Sequence, residues 1–453
     1  MLARPVVSGF RIFDLHRQTQ LFWCGVRGTG FFYAENEMDQ SNLIPQLYRQ
    51  EFSKMVALIC SRFGIDQIDV AEDIVSETFL AAAETWGLKG VPDNPVGWLY
   101  RVARNNTLNG LKHERVFRQK VKGELVRGGV SRVEPELDIS PENITDSQLR
   151  MLLAVCHPCI PVEAQVSLAL RVLCGFTIDE IAQALLTTKA NVNKRLFRAK
   201  EKLRSSGVTL TLPDDTGMNE RLDAVLLSLY LLFNEGYYSA GPDKLLRKDL
   251  CLEAMRLTYL LSDYRGASGR VVVRGDIYSL LALMCFQASR LDARVDEAGG
   301  LVLYEQQDSG RWDTELINRG NSFFIKACDT GLLSRYQLEA AIAWWHTHHR
   351  DGREKWENIL MLYNRLLLLE YSPIAALNRA YAYARVYGKE KAIKEAEGLQ
   401  LEDNLFYHSL LGELYMGVDD RAAIVHFERA LALASTEAER AVLAGKLVAV
   451  RRS

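Results

Sequence analysis

Long apolar runs are missing from this sequence of 453 residues, and no stretch reaches the uninterrupted length that a membrane-spanning helix needs. The eight cysteines are mostly single and lie within helix-like apolar patterns, which favours reduced thiols in a cytoplasm over a disulfide framework. Glycine and proline occur in ordinary numbers, so a fibrous or disordered chain is disfavoured. The sequence contains no nucleophile–base pair, phosphate-binding glycine loop or zinc-hydrolase motif. We therefore predict no catalysis, no cofactor and no metal.

A strong net charge is also missing, since the formal total is −2. The charge is nevertheless uneven along the chain. Nine Lys or Arg stand against two Glu between Trp98 and Arg132, and seven stand against Glu201 alone between Lys189 and Arg204. The second half of the chain is mildly acidic. Short basic blocks are typical of contact with nucleic-acid phosphates, although a solvated helix face gives the same count.

Breaks in composition divide the chain into five parts and predict an all-α fold, because no βαβ alternation is present. These parts are residues 1–37, a helical region over 38–115, a polar connector over 116–146, a compact helical unit over 147–206, and a helical region over 220–453. Residues 1–37 have no helical period, and we hypothesise that they are a translated leader before a true start at Met38. The alternative is a short, β-like N-terminal extension.

The first basic block follows an acidic helix. In residues 71–86 the apolar residues form one helical stripe, and Glu72, Asp73 and Glu77 fall on the other side. Residues 95–115 then combine the aromatics Trp98 and Tyr100 with outward-facing cations. Aromatic rings can stack on unpaired bases while the cations hold phosphates, so this helix suits an unstacked nucleic-acid strand. The alternative is an amphipathic helix whose aromatics belong to the core.

The second basic block, residues 177–204, predicts a helix-turn-helix. Thr177 and Glu180 form a capping-box pattern ahead of the first helix, and Thr187 or Thr188 can cap the second. Short amides and cations at the start of the second helix match a recognition helix that enters the major groove. The later cations Lys200, Lys202 and Arg204 would contact phosphates. A plain helical hairpin is the alternative. Cys156, His157 and Cys159 lack the spacing of a standard zinc knuckle.

The two blocks, in this order, resemble regions 2 and 4 of extracytoplasmic-function sigma factors. In that family an acidic helix docks on RNA polymerase, the following loop and helix melt and read the −10 element, and region 4 reads the −35 element. The resemblance assigns polymerase binding to Glu72, Asp73, Glu77 and Phe79, −10 DNA contacts to Trp98, Arg101, Arg104, Asn105 and Lys112, and −35 DNA contacts to Lys189, Asn191, Asn193, Lys194, Arg195 and Arg198. Lys89 to Asn94 would be the loop that captures an extruded base.

Residues 372–434 carry two segments with the small and aromatic positions of tetratricopeptide repeats, 32 residues apart from Ala380 to Gly412. Such helix pairs stack and leave a concave surface for a peptide or protein, so we predict a binding partner here. Residues 231–240 and 290–313 resemble the C-terminal extension of one subgroup of these sigma factors, in which the extension regulates the protein. Arg290 and Arg294 favour an internal ion-pair lattice, with a ligand pocket as the alternative.

We therefore predict an alternative sigma factor that directs core RNA polymerase to specific promoters and is regulated by its C-terminal domain. Two basic units joined by a connector suit a promoter with two elements, whereas a lone regulator needs only one. The alternative from another class is a stand-alone helix-turn-helix regulator with a tetratricopeptide sensor. An interaction scaffold, whose basic helices are merely solvated, is a third reading.

Overall fold

The structure is a computed structural model that describes residues 40–107, 138–185, 187–238, 244–262, 275–294, 302, 304–331, 333–347, 352–434 and 437–452. Over these ranges it consists of helices and their connections and has no strand, which confirms the predicted all-α fold. None of the helices in these ranges is long and apolar enough to cross a membrane. The hypothetical leader (1–37) and Lys112 lie outside the described residues.

The helices form two compact units, and the division falls between Leu232 and Phe233, inside one helix. The first unit contains α1 (Gln40–Phe63), α2 (Ile68–Lys89), α3 (95–107), α4 (Pro141–Val155), α5 (Val162–Val172), α6 (Ile178–Ala184), α7 (Lys189–Ser205) and most of α8 (Asp215–Tyr238). The second contains the end of α8 and then α9 (Lys244–Ser262), α10 (Gly275–Ala288), α11 (Thr314–Cys328), α12 (Arg335–Trp345), α13 (Arg353–Leu369), α14 (Pro373–Tyr387), α15 (Lys389–Glu397), α16 (Leu405–Tyr415), α17 (Asp420–Leu433) and α18 (Glu437–Arg452).

Helix α1 is the centre of the first unit because it is apolar on nearly every side. From Phe52 to Cys60 every residue except Lys54 is buried. Such a helix must be enclosed by neighbours, and α2, α4 and α5 all pack against it. Each fully buried Leu, Ile or Met contributes about 1.5–3 kcal/mol to folding relative to its exposed state. The helices before and after the connector therefore share one core.

Helix α4 begins earlier than the composition of the connector indicated. Ser140 is its N-cap, and its hydroxyl accepts a hydrogen bond from the Asn143 backbone N–H at 3.4 Å. Pro141 occupies the first helical turn, where its missing N–H costs nothing. The predicted connector (116–146) therefore overlaps α4 over residues 141–146. Ser and Pro are both common in loops, but here Ser140 caps α4 and Pro141 is its first residue.

The predicted helix-turn-helix is formed by α6 and α7. The Glu180 backbone N–H donates to the Thr177 hydroxyl at 3.2 Å, and the Thr177 N–H donates to the Glu180 carboxylate at 2.8 Å, which confirms the capping box. Thr188 caps α7 and accepts from the Asn191 N–H at 3.3 Å. The buried residues of α7 recur at helical spacing and hold it against α5 and α6. The opposite face is left for solvent or a ligand.

The second unit contains the helix pairs in which tetratricopeptide repeats were predicted. Helices α14 and α15 pack together, as do α16 and α17, and α13 packs against α14. The predicted small residues are buried at these contacts: Ala380, Ala392, Ala396, Gly412, Ala423 and Ala430. A Cβ at Gly412 would lie 2.7 Å from the Phe427 ring, so only glycine allows these two helices to approach so closely. Helical pairing is confirmed, and the tetratricopeptide assignment stays a prediction.

Arg290 and Arg294 join the end of α8 to the segment that follows α10. Arg290 is 2% exposed and donates to the Tyr237 hydroxyl at 2.7 Å and to Gln307 Oε1 at 3.0 Å. The Arg294 guanidinium lies 3.9 Å from the centre of the Tyr237 ring and donates to the Tyr237 carbonyl. These internal contacts favour a structural lattice over a ligand pocket at this position.

Candidate nucleic-acid interface

Helix α2 presents an exposed stripe that mixes acidic and apolar residues. Asp73 and Glu77 are exposed, and they line up at helical spacing with Leu80, Glu84 and Leu88. Leu80 is 61% exposed and Leu88 is 88% exposed. Exposure of apolar side chains such as Leu80 and Leu88 to water costs free energy. Exposed apolar residues among acidic ones are therefore typical of a surface that binds another protein.

Two of the four predicted polymerase-binding residues lie elsewhere. Phe79 is 4% exposed and meets the Tyr48 ring at 5.0 Å between centroids, so it positions α2 from inside the core. Glu72 is largely buried and faces α7 instead of solvent. The structure thus places Asp73 and Glu77 on the open face of α2. Leu80 was missed, although its place outside the apolar stripe of residues 71–86 is a signal that the sequence carries.

Helix α3 divides its aromatic and charged residues between core and surface. Tyr100 is buried, and its hydroxyl donates to Glu51 Oε2 at 3.0 Å. Trp98 is half-buried and packs edge-on against Trp86, with 5.4 Å between ring centroids. Arg101 and Asn105 are exposed and Arg104 is half-buried. Tyr100 is therefore a core residue, as the alternative reading expected. Trp98 keeps part of its surface open beside exposed polar groups.

The loop before α3 is fixed by a side-chain cap. Asn94 accepts from the Gly97 backbone N–H at 2.8 Å, and its carbonyl accepts from the Trp98 N–H. Asp93 and Asn94 are both exposed. This cap sets the direction in which α3 begins. The predicted base-capturing loop, Lys89 to Asn94, therefore leads directly into Trp98.

The first half of α7 carries an open polar face. Residues of the predicted DNA-contacting set that are exposed here are Lys189, Asn191, Asn193, Lys194 and Arg198, and Arg195 is half-buried. Phe197 lies among them and is 70% exposed. Amides and cations can bond to base edges and phosphates, and an apolar ring can contact a thymine methyl group. Sequence reasoning missed Phe197, although it falls outside the buried spacing of Val192, Leu196 and Ala199.

The last turns of α7 meet α2 in an ionic cluster formed by Asp69, Glu72, Arg171, Lys200 and Arg204. Lys200 Nζ lies 2.7 Å from Asp69 Oδ1 and 2.5 Å from Glu72 Oε2. Arg204 donates to Asp69 Oδ2 at 3.1 Å, and Arg171 Nε is 3.6 Å from Glu72 Oε1. Lys200 and Glu72 keep only 14% and 13% of their side-chain surface exposed, so solvent screens this pair less than an ordinary surface pair.

The pKa shifts within the ionic cluster agree with this geometry. Burial alone would lower the pKa of Lys200, but the neighbouring Glu72 and Asp69 carboxylates outweigh it and raise that pKa. Burial alone would raise the pKa of Asp69, and hydrogen bonds from Lys200 and Arg204 lower it instead. Both groups are therefore held in their charged forms. Lys200 and Arg204, two of the three cations that sequence reasoning assigned to DNA phosphates, are here bound to carboxylates.

Comparison with known proteins agrees with this division of the chain. The model of sigma-70 region 2 matches residues 49–116, and the model of sigma-70 region 4 matches residues 150–203. A "Probable RNA polymerase sigma factor" of Haemophilus influenzae is 21% identical over 175 residues, which cover 36% of this chain and 90% of that protein. The chain belongs to the sigma factors of the extracytoplasmic-function type.

The rest of this sigma factor also has relatives. An uncharacterized protein of Rhizobium meliloti (strain 1021) is 33% identical over 381 residues, which cover 83% of this chain and 89% of that protein. A family of unknown function (DUF6596) matches residues 221–328. No solved structure matches the chain. The matched family covers most of α8 and all of α9–α11, and it ends before the helix pairs of residues 372–434.

The surfaces described above fall within the matched sigma regions. The exposed stripe of α2 and the polar face of α3 lie in region 2, and α7 lies almost wholly in region 4. Sigma regions of these types imply association with core RNA polymerase and promoter DNA. His157 Nδ1 accepts from the Cys159 backbone N–H, and no group of His, Cys, Asp or Glu in the described part of the chain is arranged to hold a metal ion.

Proposed function

We propose that this sigma factor directs core RNA polymerase to promoters with two elements, read by α3 at −10 and by α7 at −35. The observation that carries the proposal is the exposed polar face of α7, from Lys189 to Arg198, on a capped helix in a helix-turn-helix. A recognition helix offers its N-terminal residues to the base edges of the major groove, and this half is the open one. Since polymerase and chromosome are its partners, the cytoplasm is its proposed location.

We further propose that Asp73, Glu77 and Leu80 form the docking surface for polymerase. Charged residues give such an interface its orientation, and an apolar residue at its centre contributes most of the affinity. Glu72 and Phe79 support this surface indirectly, because both contact other parts of the protein. On the −10 side, Trp98 is the proposed stacking residue, with Arg101 and Asn105 beside it on the exposed face of α3.

The C-terminal helices are proposed to regulate the sigma factor through a peptide or protein partner. Support comes from α13 and the turn after it, where Leu368 is 87% exposed and Tyr371 is 63% exposed. Exposed apolar groups close together are typical of a binding surface. Replacing both by Glu should change promoter activity in cells while leaving transcription with purified core polymerase unchanged. Ile325→Glu, at an exposed apolar residue of α11, is the matched control. Equal activity of all variants in cells would contradict this role.

In vitro transcription tests the main proposal. The full chain is combined with core polymerase on fragmented genomic DNA, and RNA 5′ ends are mapped. We expect new start sites that share two sequence elements upstream, since region 2 and region 4 each read one. Polymerase binding without new starts would place control in the C-terminal helices. Tight duplex binding in the absence of any polymerase association would favour the stand-alone regulator.

A further inference from the structure

Two histidines meet where α16 packs on α17, beyond residue 328, at which the matched family of unknown function ends. His408 of α16 is 3% exposed, and His426 of α17 is half-buried. Their Nδ1 atoms lie 3.0 Å apart, with 5.3 Å between the ring centroids. This separation is that of a hydrogen bond, which needs a proton on one nitrogen and a lone pair on the other.

A backbone carbonyl determines which of the two nitrogens donates. His408 Nε2 lies 2.8 Å from the carbonyl oxygen of Glu402, which can only accept, so this Nε2 carries a proton. Neutral His408 then has its lone pair on Nδ1. The Nδ1 of His426 must therefore carry the proton that lies between the rings. A single combination of tautomers satisfies both contacts, and in it His408 is neutral.

Further protons act against this arrangement in two ways. A proton on His408 Nδ1 would place two N–H groups against each other across 3.0 Å, and the hydrogen bond would be lost. A proton on His426 Nε2 would keep the bond but would put a positive charge on a half-buried ring beside the buried His408. Burial and then His408 lower the pKa of His426, although the carboxylates of Glu397 and Glu402 act in the opposite direction.

Aromatic side chains enclose the pair on its other sides. Tyr407 meets His408 edge-on, with 5.2 Å between ring centroids. Tyr415 stacks on His426 at 5.6 Å and donates its hydroxyl to Glu397 Oε1 at 2.6 Å. This bond and burial raise the pKa of Tyr415 to about 12, so its hydroxyl stays protonated and bound to the Glu397 carboxylate. The pair thus lies in a largely apolar setting that favours neutral imidazoles.

Charged side chains of the other helices packed here bond away from the pair. Helix α14 packs on α16, and α18 packs on α17. Their bonds, and that of α15, run from Arg379 to Glu395, from Lys389 to the Glu413 carbonyl, from Lys446 to the Glu413 carboxylate, and from Arg451 to Glu428. The carboxylates that act on His426 are therefore Glu397 and Glu402.

The backbones leave the two rings close together. Gly412 lies one turn after His408, and Phe427 directly follows His426. A Cβ at Gly412 would lie 2.7 Å from the Phe427 ring, which is fully buried. Moving the helices apart to separate the histidines would uncover Phe427. Protonation of the pair is thereby coupled to the packing of α16 on α17.

We infer that His408 and His426 make the α16–α17 contact an acid-sensitive switch, which is closed while His408 is neutral and loosens when both imidazoles are protonated. Exposed histidines bind protons near the ordinary pKa of about 6.5. The contribution of the pair to stability is therefore complete above that value and is lost as the pH falls through the lowered pKa of His426. The switch needs no partner protein, so it is independent of the proposed regulatory role of these helices.

Nitrogen NMR of the full chain with isotope-labelled histidine tests the switch without any substitution. At about pH 7.5, above the ordinary His pKa, His408 should carry its proton on Nε2 and His426 on Nδ1. As the pH falls, both rings should become cations while the resonances of α16 and α17 change together. Two rings that titrate independently near the ordinary pKa, with α16 and α17 unchanged, would overturn the switch.

His426→Asn provides the second test. Its amide group can donate to His408 Nδ1, or rotate and accept from it, but does not titrate in this range. His157→Asn is the matched control, because His157 is also half-buried and the new amide oxygen can accept the bond that Nδ1 now accepts from the Cys159 N–H. Hydrogen exchange of peptides within residues 405–433 is compared among the chains at equal pH, so that the intrinsic effect of pH on exchange cancels.

At about pH 5.5, one unit below the ordinary His pKa, these peptides should exchange about 10-fold faster in the unmodified chain and in His157→Asn than in His426→Asn. At about pH 7.5 all three chains should exchange alike. Equal exchange of the unmodified chain and His426→Asn at the lower pH would overturn the switch. If His426→Asn is already loose at the higher pH, the NMR titration of the unmodified chain decides.

Discussion

The two ends of α7 differ in what surrounds them, although both are basic. Its first half, through Arg198, faces outward and carries short amides between its cations. In its last two turns, Lys200 and Arg204 contact carboxylates of α2. The proposed base-reading groups are thus exposed, while Lys200 and Arg204, two of the three proposed phosphate-binding groups, are bonded to carboxylates. Under the proposed function, base reading and phosphate binding therefore belong to different halves of one helix, and the phosphate-binding half contacts α2.

Helix α2 shows the same division on its two sides. Asp73 faces solvent with Glu77, whereas its neighbour Glu72 faces Lys200. Adjacent residues of one helix thus carry an internal contact and a proposed polymerase contact, on different sides of α2. Substitutions on each side of α2 and at each end of α7 should have different effects, and this difference can be measured.

The largest effect is expected on the open side of α2. Asp73→Arg with Glu77→Arg reverses two charges of the proposed docking surface, and like charges placed against each other at an interface cost several kcal/mol. Binding to core polymerase should fall by about 100-fold or more, measured by titration with labelled core enzyme. Glu354→Arg with Glu390→Arg makes the same charge change at exposed residues of α13 and α15 and should leave binding unchanged.

The next effect concerns the base-reading half of α7. Arg198→Ala should weaken binding to the mapped −35 element by about 1–3 kcal/mol and relax specificity at the contacted base pair. The measurement is a competition between the intact element and single-base variants, at fixed salt. Lys202→Ala, at an exposed cation in the last turn of α7, is the control and should weaken binding to all sequences alike. Equal losses on every sequence for both variants would contradict base reading by Arg198.

A sharper contrast compares Lys200 with Lys202. Both are proposed phosphate contacts, so Lys202→Gln should lower DNA affinity and reduce its salt slope by about 1. Lys200→Gln removes a proposed phosphate contact too, but it also removes the bonds to Asp69 and Glu72 that compete with that contact. The full chain should therefore lose less affinity with Lys200→Gln than with Lys202→Gln. Identical losses would mean that the ionic cluster does not restrain α7.

These features could be predicted from the sequence to different extents. The helix-turn-helix was predictable because its capping box and its buried spacing are local, and Thr177, Glu180 and Val192 report them within one segment. The exposed faces of α2 and α7 follow from the same spacing. The partner of Lys200 did not follow, because Glu72 lies 128 residues away along the chain and helical periodicity does not say which faces meet. Tyr100 was ambiguous for the same reason, since its burial depends on Glu51 of another helix.

The smallest effect is the dependence of the ionic cluster between α7 and α2 on pH. The pKa of Asp69 is lowered by its bonds to Lys200 and Arg204, so its contribution to stability is present above the pKa of the unfolded chain, about 3.9, and is lost as the pH falls through the lower pKa of the folded chain. The raised pKa of Lys200 acts in the opposite direction, and its contribution is lost only as the pH rises through that raised value, above about 10.4.

Between these limits both groups stay charged, so the contact between α7 and α2 should be insensitive to pH near neutrality and should loosen in acid and again in strong alkali. Small-angle scattering of the full chain should show a modest increase in radius of gyration below about pH 4, with helicity followed by circular dichroism. Asp69→Asn removes the titrating group and should already be partly expanded at neutral pH, whereas Glu84→Gln, on the exposed stripe of α2, should behave as the unmodified chain. If Asp69→Asn has the same radius as the unmodified chain at neutral pH, the α1–α4 packing alone holds region 4 in place, and the ionic cluster then controls only the access of Lys200 to DNA.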